Sequence, residues 1–298
     1  MPLFFRNPPV SAAVIGLCAA ALLLSGCPMP LAPNVALERD VVYGQGYVEQ
    51  RNDIVLRDLV MDVYTPTDVS PGALPAVVMM HGGGFDGGSK DNENLVALAN
   101  ILASSGYVVF SIGYRLEEDA PPAPPPFDGL SIGRAVHAAY VDAKTALRHV
   151  RANAVTYGID PQRIAALGES VGAIAMIGAG ITESERFLSD GEGFPVPERN
   201  NPTVEPRPQL VVNLWGGASF VFESFDPTDP PMLIVHGQLD LTAFASILDA
   251  LAIIEACENN GIPFTAELLP GRGHGPWDAT IDGQGLGMFV RDWLDLNL

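Results

Sequence analysis

Ser170 lies in the stretch "AALGESVGAIAM", between Gly168 and Gly172 and directly after an apolar run of strand character. A serine that only closes a turn has no need of a glycine on either side at this spacing. A nucleophile on a sharp strand-to-helix turn does, because neighbouring elements must pack closely while Oγ stays clear. Such a serine needs a base to take its proton, an acid to orient that base, and N–H donors for a developing oxyanion. Ser170 is the only serine of the chain in a G-x-S-x-G context.

The base must be one of five histidines. His137 and His149 fall within a helical pattern, His81 opens the glycine-rich stretch "HGGGFDGG", and His236 ends an apolar run. His274, in the Gly-flanked segment "RGHGPW", is left as the candidate. Between it and Ser170, Asp190, Asp226 and Asp229 fall in long loops and Asp249 in a helix, whereas Asp240 follows "VHG". Asp240 is therefore the expected acid, with Asp229 as the alternative.

These residues need a scaffold. Short apolar runs bounded by Gly or Pro recur at 73–80, 106–114, 163–168, 209–216, 230–237 and 263–271, after an opening pair near 41–48 and 54–64. Near-continuous hydrophobicity suits strands covered on both faces. Helical patterns intervene at 94–105, 132–157, 171–181, 243–260 and 287–296. The alternation predicts an α/β fold, a doubly wound, mostly parallel sheet of about eight strands with helices on both faces. Ligands of such sheets bind beyond the carboxyl ends of the strands. The glycine stretch, Ser170, Asp240 and His274 each follow such an end. Two loops, 117–129 and 182–209, are either lids or surface elaborations.

H-G-G-G followed by G-E-S-x-G, with Asp and His downstream in the order Ser…Asp…His, resembles the α/β-hydrolase superfamily, and within it the carboxylesterase and hormone-sensitive-lipase-like branch. The resemblance runs from about Leu56 to Leu298. It implies an α/β-hydrolase fold and carboxylic ester hydrolysis through an acyl-enzyme, without metal or organic cofactor. It implies an oxyanion hole from the N–H groups of Gly83, Gly84 and Val171, and it places the acid where Asp240 stands. Relatives often carry D-x-x-V-P after that acid, whereas this chain has "DLTAFAS", which leaves the packing of that loop open. Phe85 and Trp277 are either pocket or core aromatics. Glu169 is assigned no catalytic role. The enzymatic alternative is a serine peptidase of the same fold. The alternative of another class is a non-catalytic surface binding protein. Acyl and alcohol preference stay open among feruloyl, acetyl-xylan, short-chain and lipid esters.

With 298 residues, 48% of them hydrophobic, the chain can bury a large core. Its formal charge of −19 repels phosphate backbones and argues against a nucleic-acid partner. Three cysteines form neither a disulfide framework nor a metal-spaced cluster. The apolar run 10–26 follows Arg6 and ends in "LSGC", which resembles a bacterial lipobox. The expectation is a signal peptide over 1–26, lipidation of Cys27, a Pro-containing tether over 27–38, and one domain over 39–298. That implies a lipid-anchored protein of the bacterial cell envelope, in the outer membrane of a Gram-negative host. The alternatives are an ordinary cleavage site with secretion, or an uncleaved anchor.

Overall fold

The computed structural model describes residues 31–70, 72–218 and 220–298. The expected signal segment and Cys27 lie outside the described residues. In chain order the elements are β1 (Val35–Gln50), β2 (Asp53–Pro66), β3 (Leu74–Met80), α1 (Glu93–Ser104), β4 (Val108–Ile112), α2 (Ser131–Ala152), α3 (Ala154–Tyr157), β5 (Ile159–Glu169), α4 (Val171–Ile181), β6 (Leu210–Leu214), β7 (Met232–Gly237), α5 (Ile247–Asn260), β8 (Phe264–Leu269), β9 (Thr280–Ile281), β10 (Gln284–Gly285) and α6 (Leu286–Asn297).

Eight strands form one sheet in the order β1-β2-β4-β3-β5-β6-β7-β8. β1 and β2 pair antiparallel, as do β2 and β4, and every pairing from β4 to β8 is parallel. This is the expected architecture. The strand period of two divides the core: Ala76, Val78 and Met80 of β3 join one apolar cluster with α2, α4 and α5, while Val77 and Met79 join another with α1 and α6. All eleven residues of α4 are buried, which explains why its sequence is apolar all round.

Three expected boundaries move. The tether does not extend to residue 38, because β1 begins at Val35 and Val35 to Glu38 pair with Pro66 to Val63. Val35 is buried against the α1/α6 side and Leu37 packs on the same cluster, so burial draws these residues into the sheet. The long helix after residue 131 ends at Ala152, where the Asn153 side chain donates to the His149 carbonyl, and a short α3 follows. The helix expected from 243 starts at Ile247. There the Ser246 N–H and hydroxyl both donate to the Asp249 carboxylate, closing the helix start. Residues 243–246 are therefore left to the loop that follows Asp240.

Arg115, just past β4, is fully buried and paired. Its Nη2 lies 2.7 Å from Asp142 Oδ1 on α2, and its Nη1 2.6 Å from Asp190 Oδ2 in the 182–209 loop. Nη1 also donates to the Tyr47 carbonyl of β1 at 3.1 Å. One guanidinium thus ties the sheet, α2 and the long loop together. Lys144 and Arg148 of α2 add to this by donating to loop carbonyls at Thr182, Arg186, Ser184 and Val204. Arg115→Ala would leave two buried carboxylates without their cation, a loss of about 3–5 kcal/mol. We expect a lower denaturation midpoint in urea by that equivalent. An unchanged midpoint would remove Arg115 from this role.

Candidate active site

β5 runs straight into Ser170, which adopts φ 53°, ψ −124°, and α4 begins at the next residue. A non-glycine residue at positive φ is strained unless its surroundings enforce the conformation. Here they do. The Ser170 N–H donates to the Leu214 carbonyl at 2.8 Å. A Cβ on Gly172 would lie 2.4 Å from the Met80 carbonyl oxygen and 2.5 Å from that of His81, and one on Gly168 would lie 2.4 Å from the Ala173 nitrogen. Both flanking glycines are therefore required by close backbone approach, as the motif implied.

The loops after β7 and β8 are joined past the sheet edge. The Gln238 N–H donates to the Leu269 carbonyl at 3.0 Å and the Leu239 N–H to that of Arg272 at 2.8 Å. Gly237 permits this, since a Cβ there would lie 2.2 Å from the Gly273 oxygen. The result brings Asp240 and His274 together. His274 Nδ1 is 2.6 Å from Asp240 Oδ2, and His274 Nε2 is 2.8 Å from Ser170 Oγ. With a carboxylate facing Nδ1, the proton sits there, leaving Nε2 to accept from the serine hydroxyl. The imidazole can take that proton because Asp240 stabilises the charged ring.

Asp240 is buried. Burial pushes its carboxyl up, but the Thr242 N–H at 2.9 Å and His274 outweigh this and hold it below the usual carboxylate range. Asp229, the alternative acid, is turned elsewhere. Its Oδ2 accepts from the Asp226 N–H, it lies 4.0 Å from Arg207, and burial pushes its carboxyl up to about 6.

The glycine stretch after β3 lies across the elbow. Gly83 and Gly84 take positive φ values of 111° and 70°. A Cβ on Gly83 would lie 2.3 Å from the Gly87 oxygen. Gly83, Gly84 and Val171 border the same cavity as Ser170 and His274. His81 shapes the stretch rather than reaching the serine: its Nδ1 meets the Gly82 carbonyl at 2.7 Å, its ring packs 4.4 Å from that of Tyr114, and burial pushes it down to about 4. Glu169 clamps the underside, accepting from the Gly82 N–H at 2.9 Å and from Trp215 Nε1 at 3.4 Å.

The cavity has a volume of about 770 Å³. Phe85 lines it, as do Phe127, Leu130, Val136, Phe220 and Phe244, none of which was singled out from the sequence. Leu130, Phe220 and Phe244 stand in loops whose course no periodicity reveals. Trp277 does not line it and is corrected to a core-packing residue: its ring meets Trp215 edge-on at 4.9 Å, on the α1/α6 side of the sheet. Of the two long loops, 117–129 walls the cavity through Pro126, Phe127 and Gly129, whereas no residue of 182–209 borders it. Among the described residues no cluster of His, Cys, Asp or Glu could hold a metal ion.

Comparison with known families gives a match to the family model described as BD-FAE over residues 61–221, more than half of the chain. The chain belongs to this family. The BD-FAE match includes the glycine stretch and Ser170 and ends before Asp240 and His274. The carboxylesterase NlhH of Mycobacterium tuberculosis is 36% identical over 145 residues, which is 49% of this chain and 38% of that protein. A probable N-octanoylanthranilate hydrolase, AqdA2, of Rhodococcus erythropolis is 33% identical over 154 residues, 51% of this chain and 32% of that one. The chain thus spans well under half the length of these relatives. Among solved structures, a thermophilic esterase of the Planctomycetes species Thermogutta terrifontis matches with a TM-score of 0.66 at 21% identity, covering 88% of this chain and 90% of that one. A truncated carbohydrate esterase from gut microbiota gives 0.64 at 20%, covering 90% and 98%. The fold is that of the α/β-hydrolases.

The elbow itself yields a test. Gly172→Ala forces a methyl against two backbone carbonyls that cannot rotate away, so overpacking of about 1–3 kcal/mol is expected. The thermal midpoint should fall. A midpoint equal to that of the native protein would show that the backbone approach at Gly172 is loose.

Proposed function

We propose that this protein hydrolyses uncharged carboxylic esters through a covalent acyl-enzyme. The observation that carries the reading is the hydrogen-bonded chain from Ser170 through His274 to Asp240, opening on an apolar cavity. Ser170 Oγ attacks the ester carbonyl as His274 Nε2 takes its proton. The N–H groups of Gly83, Gly84 and Val171 stabilise the oxyanion. The imidazolium protonates the departing alcohol, and water, deprotonated by the same ring, releases the acid and restores the serine. Relatives named carboxylesterases support the reading.

The cavity supports a neutral substrate. Among the described residues its only ionisable lining residues are Glu169 and His274, and both are already engaged. A charged peptide terminus would find no counter-ion there, and burying it unpaired is costly. Among the described residues, and apart from Ser170 itself, Thr242 is the only hydroxyl on the wall, so a polyol alcohol such as a sugar has few partners there. Esters with a sizeable apolar group fit best. We also propose that the protein is held in the cell envelope by lipid on Cys27. The support is the lipobox-like "LSGC" after an apolar segment, and stable anchoring takes more than one acyl chain.

A panel of p-nitrophenyl esters of rising chain length, with a peptide anilide, a feruloyl ester and acetylated xylan, tests the activity. Turnover should favour medium-length apolar esters over the anilide and the polysaccharide. Ser170→Ala should abolish it with the fold intact. Asp240→Asn should lower kcat by orders of magnitude, about 10⁴-fold in a comparable triad, and Asp229→Asn should not. Near-native turnover by Ser170→Ala would sink the assignment.

For the anchor, the intact mass of the protein from its native host should correspond to a chain beginning at acylated Cys27. An unmodified thiol there, or another N-terminus, would discard the anchor and leave the catalytic reading standing.

A further inference from the structure

His236 is a fully buried titratable group that the chemistry above does not use. It is the penultimate residue of β7. Its Nε2 lies 3.2 Å from Asp240 Oδ2 and 3.1 Å from the Ala245 carbonyl oxygen. Its Nδ1 is buried without a hydrogen-bond partner. Two acceptors face Nε2, so the ring proton must be there; the other tautomer would set a lone pair against a carboxylate.

We propose that His236 is a positioning residue for the acid: its Nε2–H donates to the Ala245 carbonyl with the Asp240 carboxylate 3.2 Å away, and so fixes the loop 240–246 in the geometry His274 requires. The inference rests on the Ser170–His274–Asp240 reading and deepens it. Asp240 Oδ2 accepts from His274 and lies 3.2 Å from His236 Nε2, while Oδ1 accepts from the Thr242 N–H. The Ile247 N–H donates to the Asp240 carbonyl at 3.0 Å and closes the base of the loop. Between those anchor points lie Thr242, Ala243 and Phe244, all on the cavity wall, with Phe244 at a strained φ of 62°. One imidazole therefore ties the acid and part of the substrate wall to the rigid end of β7. The His236 contact supplies a fixed point in that loop.

The surroundings favour the neutral ring with its proton on Nε2. Burial, which is the largest influence, lowers its pKa, and so does His274, while Asp240, the Ala245 carbonyl and Asp249 act in the opposite direction; the balance is a lowered value. Neutral His236 cannot replace His274 as base, because its Nε2 already carries the proton and faces two acceptors.

The test compares His236→Leu, which removes the donor, with His236→Gln, whose amide N–H reaches the place of Nε2. For His236→Leu we expect kcat to fall about 10- to 100-fold, the range for a misplaced catalytic group. The acid limb of kcat/KM should move to lower pH, since an imidazolium that loses an aligned carboxylate is less stable. His236→Gln should recover most of the lost kcat and return the limb towards its native position. A role in stability alone would lower the thermal midpoint of the leucine variant and leave the limb in place. That outcome overturns the proposal, as does equal damage by leucine and glutamine. A measurement on the native protein guards against a leucine variant that does not fold. In ¹⁵N-histidine NMR spectra, with His236 assigned by its disappearance in the glutamine variant, the ring should be neutral and protonated on Nε2 throughout the active pH range. A neutral ring protonated on Nδ1, with no proton on Nε2, overturns the proposal. Native protein that turns over no ester would instead sink the esterase reading, and the tautomer would still decide whether the contact exists.

Discussion

The site depends on the close backbone contact between the start of α4 and the end of β3. The carbonyls of Met80 and His81 lie where a side chain at position 172 would have to be. That contact leaves no room to relax Ser170, whose backbone conformation costs of order 1–3 kcal/mol. The strain is offset by the complete burial of α4 between the sheet and α2. It serves to put Oγ above the sheet edge with the Val171 N–H next to it. Because β3 also leads directly into His81–Gly84, the same contact sets the distance between the serine and the glycine stretch. Glu169 then fastens that stretch from below through the Gly82 N–H. Ser170 and the glycine stretch are thus one rigid unit, built from two adjacent parallel strands.

The acid and the base are held by a second unit, at β7 and β8. The sheet alone brings their loops only to neighbouring strand ends. Two further backbone bonds past the edge, made possible by Gly237, bring Asp240 within 2.6 Å of His274. A buried carboxylate is expensive unless it is well supplied with donors, and Asp240 has Thr242 N–H, His274 and His236 around it. Arg115 shows the same rule away from the chemistry, where one buried cation satisfies two carboxylates from separate segments.

Much of this was legible in the chain. Doubly wound strands and helices follow from apolar runs alternating with 3.6-period segments. Ser170, His274 and Asp240 are picked out by their places after strand ends, where an open α/β sheet binds ligands, and the fold brings the three side chains together. What escaped depended on contacts remote in sequence. Arg115, Asp142 and Asp190 are each unremarkable as letters, and only folding makes them one cluster. Trp277 stands three residues from His274, yet its ring turns to Trp215 on the other face of the sheet. The β9–β10 hairpin had a readable sign in Asp282-Gly283, both at positive φ, but its two-residue strands are too short to show a period. "AFAS" continues an apolar helical pattern four residues ahead of the observed start of α5. The capping contacts of Ser246 with Asp249 override that pattern.

That early helix boundary bears directly on function. Had 243–246 been helical, Phe244 would lie in the first turn of α5 instead of in the loop with Asp240. As a loop, these residues put Thr242, Ala243 and Phe244 on the cavity wall, within a few residues of the acid. Substrate wall and acid therefore share one short segment, anchored at Asp240, at Ala245 and at the head of α5. The apolar wall and the acid are thus placed by one set of contacts within residues 236–247.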